Sequence, residues 1–334
     1  MTTANEVRIL AGSGVCGAGF RAESLEEGMG KKPHFIGCDG GSTDPGPYPL
    51  GSGETSFGRS SIKRDMRLML LAARKAKIPL LLGTAGTSGG HPHVAIAKEI
   101  LMEIADEENL KFPLAIVHAE QDKEYLKKRF REGRIKPLDP APVFNEETIE
   151  KSERIVGMMG EEPFLKALDN GAEVVLTGRS SDCAIYAGIP VREGIPEGIA
   201  WHAAKILECG AASVEQRKTA DSLFATCRGD HFDVEPLDAD LRCTPQSVAS
   251  HSLYENADPF RLVESNGTMD LSTSKYEALD DRRVRVSQSG FEPAPKYTVK
   301  LEGAEKVGYQ TIVIGGVRDP YILRQLDSWL ATGE

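Results

Sequence analysis

Asp39, Asp44, His91, Arg179 and Asp182 stand in loops so rich in glycine, serine and threonine that the spacing points to chemistry. The segment Asp39-Gly-Gly-Ser42-Thr43-Asp44-Pro-Gly-Pro puts two carboxylates and two hydroxyls within six residues of a proline-stiffened loop. Rigid polar loops of this kind suit substrate positioning and proton transfer. A plain turn, in which Asp and Ser side chains cap backbone N–H groups, is the competing reading. In Gly83-Thr84-Ala-Gly86-Thr87-Ser88-Gly89-Gly-His91 the glycines lead into a helical pattern that starts near His93. Exposed amides at a helix start favour an anion, and His91 could serve as acid or base or simply sit in a solvated turn. No Lys-Ser/Thr follows the last glycine, so this is not a triphosphate loop. The third loop, Gly178-Arg179-Ser180-Ser181-Asp182, joins a guanidinium to two hydroxyls and a carboxylate. Arg179 suits bidentate capture of a carboxylate or phosphate, unless it ties down Asp39 or Asp44.

A fourth loop, Gly12-Ser-Gly14-Val-Cys-Gly17-Ala-Gly19, fits the dinucleotide spacing, with Asp39 near the expected ribose acid. The helix that should follow is interrupted by Gly19, Arg21 and Gly28, so close approach to some anionic group at Gly14 and Gly17 is the milder reading. His202, Lys205 and Glu208 recur at threes along one helical face, where a satisfied polar face is the default. His91 and His93 have no third ligand run, so no metal site is expected. There is no GxSxG elbow either.

These loops each follow a short apolar run. Residues 7–10, 35–38, 79–82, 114–117 and 174–176 are short, mostly apolar runs rich in β-branched or aliphatic residues, and helical patterns such as 62–76 and 94–104 lie between them. Continuous apolar strands alternating with helices predict an α/β fold, a parallel-sheet, Rossmann-like core whose strand-to-helix loops gather at the C-terminal edge. After residue 210 the pattern becomes period two, at 283–287, 296–301 and 309–314, which predicts antiparallel strands of a smaller α+β lobe. The expected division is therefore an α/β ligand-binding domain over 1–210 and a second lobe over 211–334. Residues 322–330 read as a closing helix that stops at Gly333-Glu334.

Composition narrows the partners. Charged residues make up 27% and hydrophobic residues 40% of 334, with a net charge of −10. No basic stripe with interleaved aromatics exists, so no nucleic-acid partner is expected. No run approaches the ~18 apolar residues of a membrane span. Six singly spaced cysteines and no signal-peptide pattern predict reduced thiols and a cytoplasmic chain. The sequon at Asn266 then carries no sugar. Size alone makes a homo-oligomer the default expectation.

Longer stretches resemble the acyclic terpene utilisation AtuA family. They are Gly17-Ala-Gly-Phe-Arg-Ala-Glu-Ser24, Ile36-Gly-Cys-Asp-Gly-Gly-Ser-Thr-Asp-Pro-Gly-Pro-Tyr48, Gly178-Arg-Ser-Ser-Asp182 and Ala200-Trp-His-Ala-Ala-Lys-Ile-Leu-Glu-Cys-Gly210. To these add residues 243–260, Tyr297-Thr-Val-Lys-Leu-Glu-Gly-Ala304 and Gly316-Val-Arg-Asp-Pro320. The resemblance runs almost the full length and implies a catabolic role, with degradation of citronellol- and geraniol-type terpenes through coenzyme A thioesters as the family's setting. A hydratase or lyase acting on an acyl-CoA thioester or a small branched carboxylate fits both setting and loops. On that reading Asp39, Asp44, His91 and Asp182 move protons. Gly14, Gly17, Ser42, Thr43, Thr84, Gly86, Thr87, Ser88, Gly89, Arg179, Ser180 and Ser181 hold an anionic substrate. No cofactor is expected, coenzyme A entering only with the substrate; a carboxylate-held Mg²⁺ is the one open alternative. Relatives commonly continue past Pro320, often with a small C-terminal domain or partner, whereas this sequence ends at Glu334. A truncated lobe and a lobe completed by such a partner are both open. Two rival functions stand beside this one: an NAD(P)-dependent oxidoreductase using the Gly12–Gly19 loop, and a non-catalytic acyl- or carboxylate-binding subunit.

Overall fold

All five apolar runs become strands of one sheet in the computed structural model, which describes residues 6–138, 140, 143–254 and 257–331. These are β1 (Val7–Ala11), β2 (Phe35–Asp39), β3 (Leu80–Gly83), β4 (Leu114–Val117) and β6 (Val174–Thr177); β5 (Ser152–Met158) lies between the last two in sequence but pairs elsewhere. They run parallel in the order β1-β2-β3-β6-β4. Their residues are apolar on both sides because both sides are covered. Leu10, Ile36, Leu82 and Leu176 pack with α3 (Arg59–Ala76) and α4 (His91–Glu107), with α1 (Ala22–Gly30) beside α3. Ile9, Phe35, Leu81 and Val175 pack with α7 (Glu162–Asp169), α8 (Ala184–Arg192) and α9 (Glu197–Leu207), around the fully buried Trp201. The short α2 (Tyr48–Ser52) lies on β5, and α5 (Lys123–Arg131) on α6 (Glu146–Lys151).

The change of pattern after residue 210 is a change of strand direction within the same sheet. Strand β7 (Leu223–Cys227) lies antiparallel along all of β1, followed outward by β8 (His231–Pro236), β12 (Val284–Ser287) and β11 (Lys275–Ala278). The result is one mixed nine-stranded sheet. Period two signals a strand with unlike faces, but not which strand it pairs with. Only β9 (Arg261–Val263), β10 (Gly267–Asp270) and β13 (Gly290–Pro293) form a small sheet of their own, while α10 (Pro245–Ser252) packs on α9. Strand β14 (Lys300–Glu305) pairs with β5, back across the expected boundary.

Three local expectations change, the first being the strand expected over 296–301: residues 296–299 are not strand, and β14 begins only at Lys300 and runs on to Glu305. Residues 309–314 form no strand; Ile314 is 93% exposed, and β-branched composition alone cannot hold a strand without a neighbour. The closing helix is two short ones, α11 (Pro320–Leu323) and α12 (Leu326–Ala331); its stop at Gly333-Glu334 lies outside the described residues. No described helix is long and apolar enough to cross a membrane.

Candidate functional site

Four of the glycine-rich loops are stitched together above the parallel strands. The Cys16 amide donates to the Asp39 carbonyl (2.7 Å), the Gly40 amide to Gly83 (2.9 Å), the Thr87 amide to Gly40 (3.0 Å) and the Ala85 amide to Thr177 (2.9 Å). The fit requires glycine at Gly89, which has φ +66° and where a Cβ would lie 2.0 Å from the Arg179 nitrogen. The end of β5 joins the same edge, since the Met159 amide donates to Arg179 and the Ser181 amide to Met159.

Within this frame Asp39, Asp44 and Asp182 come together. Asp39 ends β2 at 3% exposure; one carboxylate oxygen, Oδ2, accepts from the Gly41 amide at 3.1 Å. The other, Oδ1, has no partner. Burial holds the Asp39 carboxyl well above the usual carboxylate range, and repulsion from Asp182 adds to it. Asp182 keeps 28% of its side chain exposed, and its carboxyl is also raised; burial raises it, Arg179 opposes, and Asp44 adds repulsion. Arg179, 2% exposed, is occupied within the protein. Its Nη1 donates to Asp182 Oδ1 (2.8 Å) and to the Ser180 carbonyl (2.6 Å), while its Nε donates to Glu302 Oε2 of β14 (2.8 Å). Thr84 Oγ1 accepts from it at 3.3 Å. Burial alone would favour a neutral guanidine, but Asp182 and Glu302 outweigh it and Arg179 stays charged. Its competing reading, a tie to Asp39 or Asp44, thus has the right character but different partners.

Sequence reasoning passed over an inner wall of the same cluster. Lys205 and Glu208, at the end of α9, form a buried pair at 2.5 Å, and the Cys183 thiol donates to Glu208 Oε2 at 2.8 Å. Glu264, in the turn between β9 and β10, lies 6% exposed beside Ser181 and Cys183, with Oε2 unpartnered. Burial, aided by Glu208 and Asp182, pushes its carboxyl up to about 8. Burial also raises Glu208, while Lys205, despite burial, is held charged by Glu208. The spacing of Lys205 and Glu208 was visible as a helical face, but nothing marked the turn residue Glu264. His202, on that face, bridges Ser289 Oγ (2.7 Å) and Ser252 Oγ (2.9 Å), and burial lowers it to about 3, so it is a neutral strut. Among the described residues no three His, Cys, Asp or Glu side chains are arranged to hold a metal ion.

A raised carboxyl has a consequence for folding. From an ordinary 4.5 to about 8, folded Glu264 keeps a proton that the unfolded chain has released. Its contribution is complete at acid pH and is lost as pH rises through about 8. Glu264→Gln removes that titration, so the variant's melting temperature should gain on the wild type as pH rises from about 5 to about 9. Parallel curves in a thermal-melt series would show that Glu264 titrates normally.

The two loops expected to cradle an anion already hold one from the protein itself. The Gly17 and Gly19 amides both donate to Asp65 Oδ2 of α3 at 2.9 Å, and Asp65 is fully buried and paired with Arg64. At Gly14 a Cβ would lie 2.6 Å from the Cys209 carbonyl, so protein backbone fills the approach that a pyrophosphate would use. Asp65→Ala would orphan both amides at a cost of about 1–3 kcal/mol each, which urea unfolding would register. An unchanged midpoint would mean that the loop finds another acceptor. At the start of α4, the His91 amide donates to Glu120 Oε2 (2.6 Å) and the Gly90 amide to His93 Nδ1 (3.2 Å). The Gly89 amide turns inward to Ala85, and Thr87 Oγ1 accepts from the Ser56 amide. Gly86, at φ +61°, packs against His93. The His91 ring is exposed and meets His118, Nδ1 to Nδ1 3.2 Å; among the described residues no hydrogen bond or ion pair links it to Asp39, Asp44 or Asp182. Ser42 and Thr43 shape the turn before Asp44, through the Asp44 amide to Ser42 Oγ and the Gly46 amide to the Thr43 carbonyl. Ser88 Oγ and Ser180 Oγ are buried without partners.

Comparison with known proteins bears on what this carboxyl-rich edge belongs to. A family model described as acyclic terpene utilisation family protein AtuA matches residues 59–214 and 236–328. Those ranges contain Arg179, Asp182, Lys205, Glu208, Glu264 and Glu302, while the loops at 17–24 and 36–48 lie before them. No curated protein and no solved structure gives a match. With most of its length matched, the chain belongs to the acyclic terpene utilisation family AtuA.

Proposed function

We propose that this protein is a catabolic enzyme in acyclic terpene utilisation, adding water to, or eliminating it from, an acyl-CoA thioester by carboxyl acid–base chemistry. Family membership supports the setting. The observation that carries the chemistry is the unpartnered, buried Oδ1 of Asp39 next to the partly exposed Asp182. Two interacting carboxyls with unlike surroundings divide acid and base roles between them. Asp182, steadied by Arg179, is the base, and Asp39, protonated at rest, is the acid. In hydration, Asp182 takes a proton from water as the water oxygen bonds to the β-carbon. The π pair shifts onto the α-carbon, which takes the proton of Asp39. Elimination reverses each transfer. No redox partner is consumed, and coenzyme A belongs to the substrate. The dinucleotide reading loses its support where Asp65 and Cys209 fill the Gly12–Gly19 loop. A purely carrying subunit would need no proton-transfer group at this edge, and here there are several.

The test is turnover of branched 2-enoyl thioesters, followed by loss of the conjugated absorbance and by uptake of one solvent deuterium at the α-carbon. Hydration with deuterium uptake supports the reading. A folded protein that binds the thioesters and exchanges no deuterium overturns it.

A further inference from the structure

We propose that this site selects a ligand whose reacting end is uncharged and oxygen-bearing, a hydroxyl or a thioester carbonyl, held between Asp39 and the hairpin residue Glu264, and that it turns away free carboxylates. The inference deepens the acid–base reading and rests on it for the location of the site.

Three buried side chains present unpartnered polar atoms here: Asp39 Oδ1, Ser180 Oγ and Glu264 Oε2. Buried polar atoms in native proteins are paired, so atoms left open together at one edge mark the place of a polar ligand or bound water. Asp182 is the common neighbour, close enough to act electrostatically on both Asp39 and Glu264. Ser180 belongs to the same loop, its Oγ close to the position a Gly83 side chain would take. The balance of charge then decides the ligand. Four acidic side chains, Asp39, Asp182, Glu208 and Glu264, belong to this cluster, and burial favours the neutral form of each. Arg179 is divided between Asp182 and Glu302, and Lys205 is paired with Glu208. An entering carboxylate would find no free cation in a dry setting, because both cations are already engaged. A hydroxyl or carbonyl meets acceptors and, from protonated carboxyls, donors. Because Glu264 comes from the β9–β10 turn, the second half of the chain supplies one jaw of a site whose other jaw is the β2 loop.

The experiment measures binding, separately from turnover, by thermal shift and calorimetry on the whole chain. The probes are a branched acyclic alcohol, the corresponding free carboxylate and its coenzyme A thioester, with coenzyme A alone to subtract nucleotide contacts. At neutral pH the alcohol, and the thioester beyond coenzyme A alone, should bind roughly tenfold or more tighter than the carboxylate, given the cost of an uncompensated buried charge. For the wild type this preference should strengthen as pH rises through the Glu264 transition, because an ionised Glu264 adds to the repulsion of a carboxylate, and in Glu264→Gln that pH-dependent gain should be lost. Equal or tighter binding of the carboxylate by the wild type overturns the proposal, even if the variant fails to fold. Selective binding without turnover would sustain this inference and sink the catalytic one, so the two failures are distinguishable.

Discussion

Arg179→Ala is expected to cost about 3–5 kcal/mol of folding free energy, the range for breaking a buried ion pair by removing one partner. The guanidinium serves two carboxylates from opposite sides, Asp182 in its own loop and Glu302 of β14, and also the Ser180 carbonyl and Thr84. Its removal strands two carboxylates and unclamps β14 from the loop edge. Glu302 retains Lys300 at 2.8 Å, so Asp182 should suffer more. Arg179→Lys should recover only part of the loss, because one ammonium cannot reproduce the planar fork. Urea unfolding of the two variants measures this directly. A loss of only a few tenths of a kcal/mol would mean that the network is solvated and that Arg179 is free to meet a ligand after all. Loss of ligand binding in Arg179→Ala is therefore uninformative unless stability is measured beside it.

The second large effect concerns rate. Asp182→Asn and Asp39→Asn should each lower kcat/KM by about 10²–10⁴-fold, the usual contribution of a positioned acid or base. Their stabilities should differ in character. Burial favours the protonated form of Asp39, so the neutral amide should be the better tolerated substitute there. Asp182 is the charged partner of Arg179, and Asn leaves part of that charge uncompensated. Combining the two should cost much less than the product of the single losses, since groups that act on one proton path are not additive. Rates within about twofold of wild type in either variant would remove that carboxyl from the mechanism.

How far the sequence reaches is clearest residue by residue. The apolar runs at 35–38 and 174–176 could be placed as buried parallel strands because burial on both faces writes itself as unbroken apolar sequence. Residues 309–314 have comparable β-branched content, and no strand forms there because pairing is supplied by a neighbour. The glycines at 14, 17 and 19 announced a backbone in close approach to something. What they approach, Asp65 and Cys209, was hidden, since a carboxylate 46 to 48 residues away leaves no local mark. Glu120 hides in the same way at the start of α4.

By itself the amino-acid sequence determined the alternation of strands and helices, the edge where the loops gather, and the presence there of Asp39, Asp44 and Asp182. All of these follow from short-range periodicity and turn chemistry. Only the tertiary structure decided which charges are free. It gave Arg179 to Glu302, 123 residues onward, gave Asp65 to the first loop, and brought Glu264 into the carboxyl cluster. The reason is physical: a side chain's type is local, but its burial, its partner and hence its protonation are set by whatever distant chain packs against it.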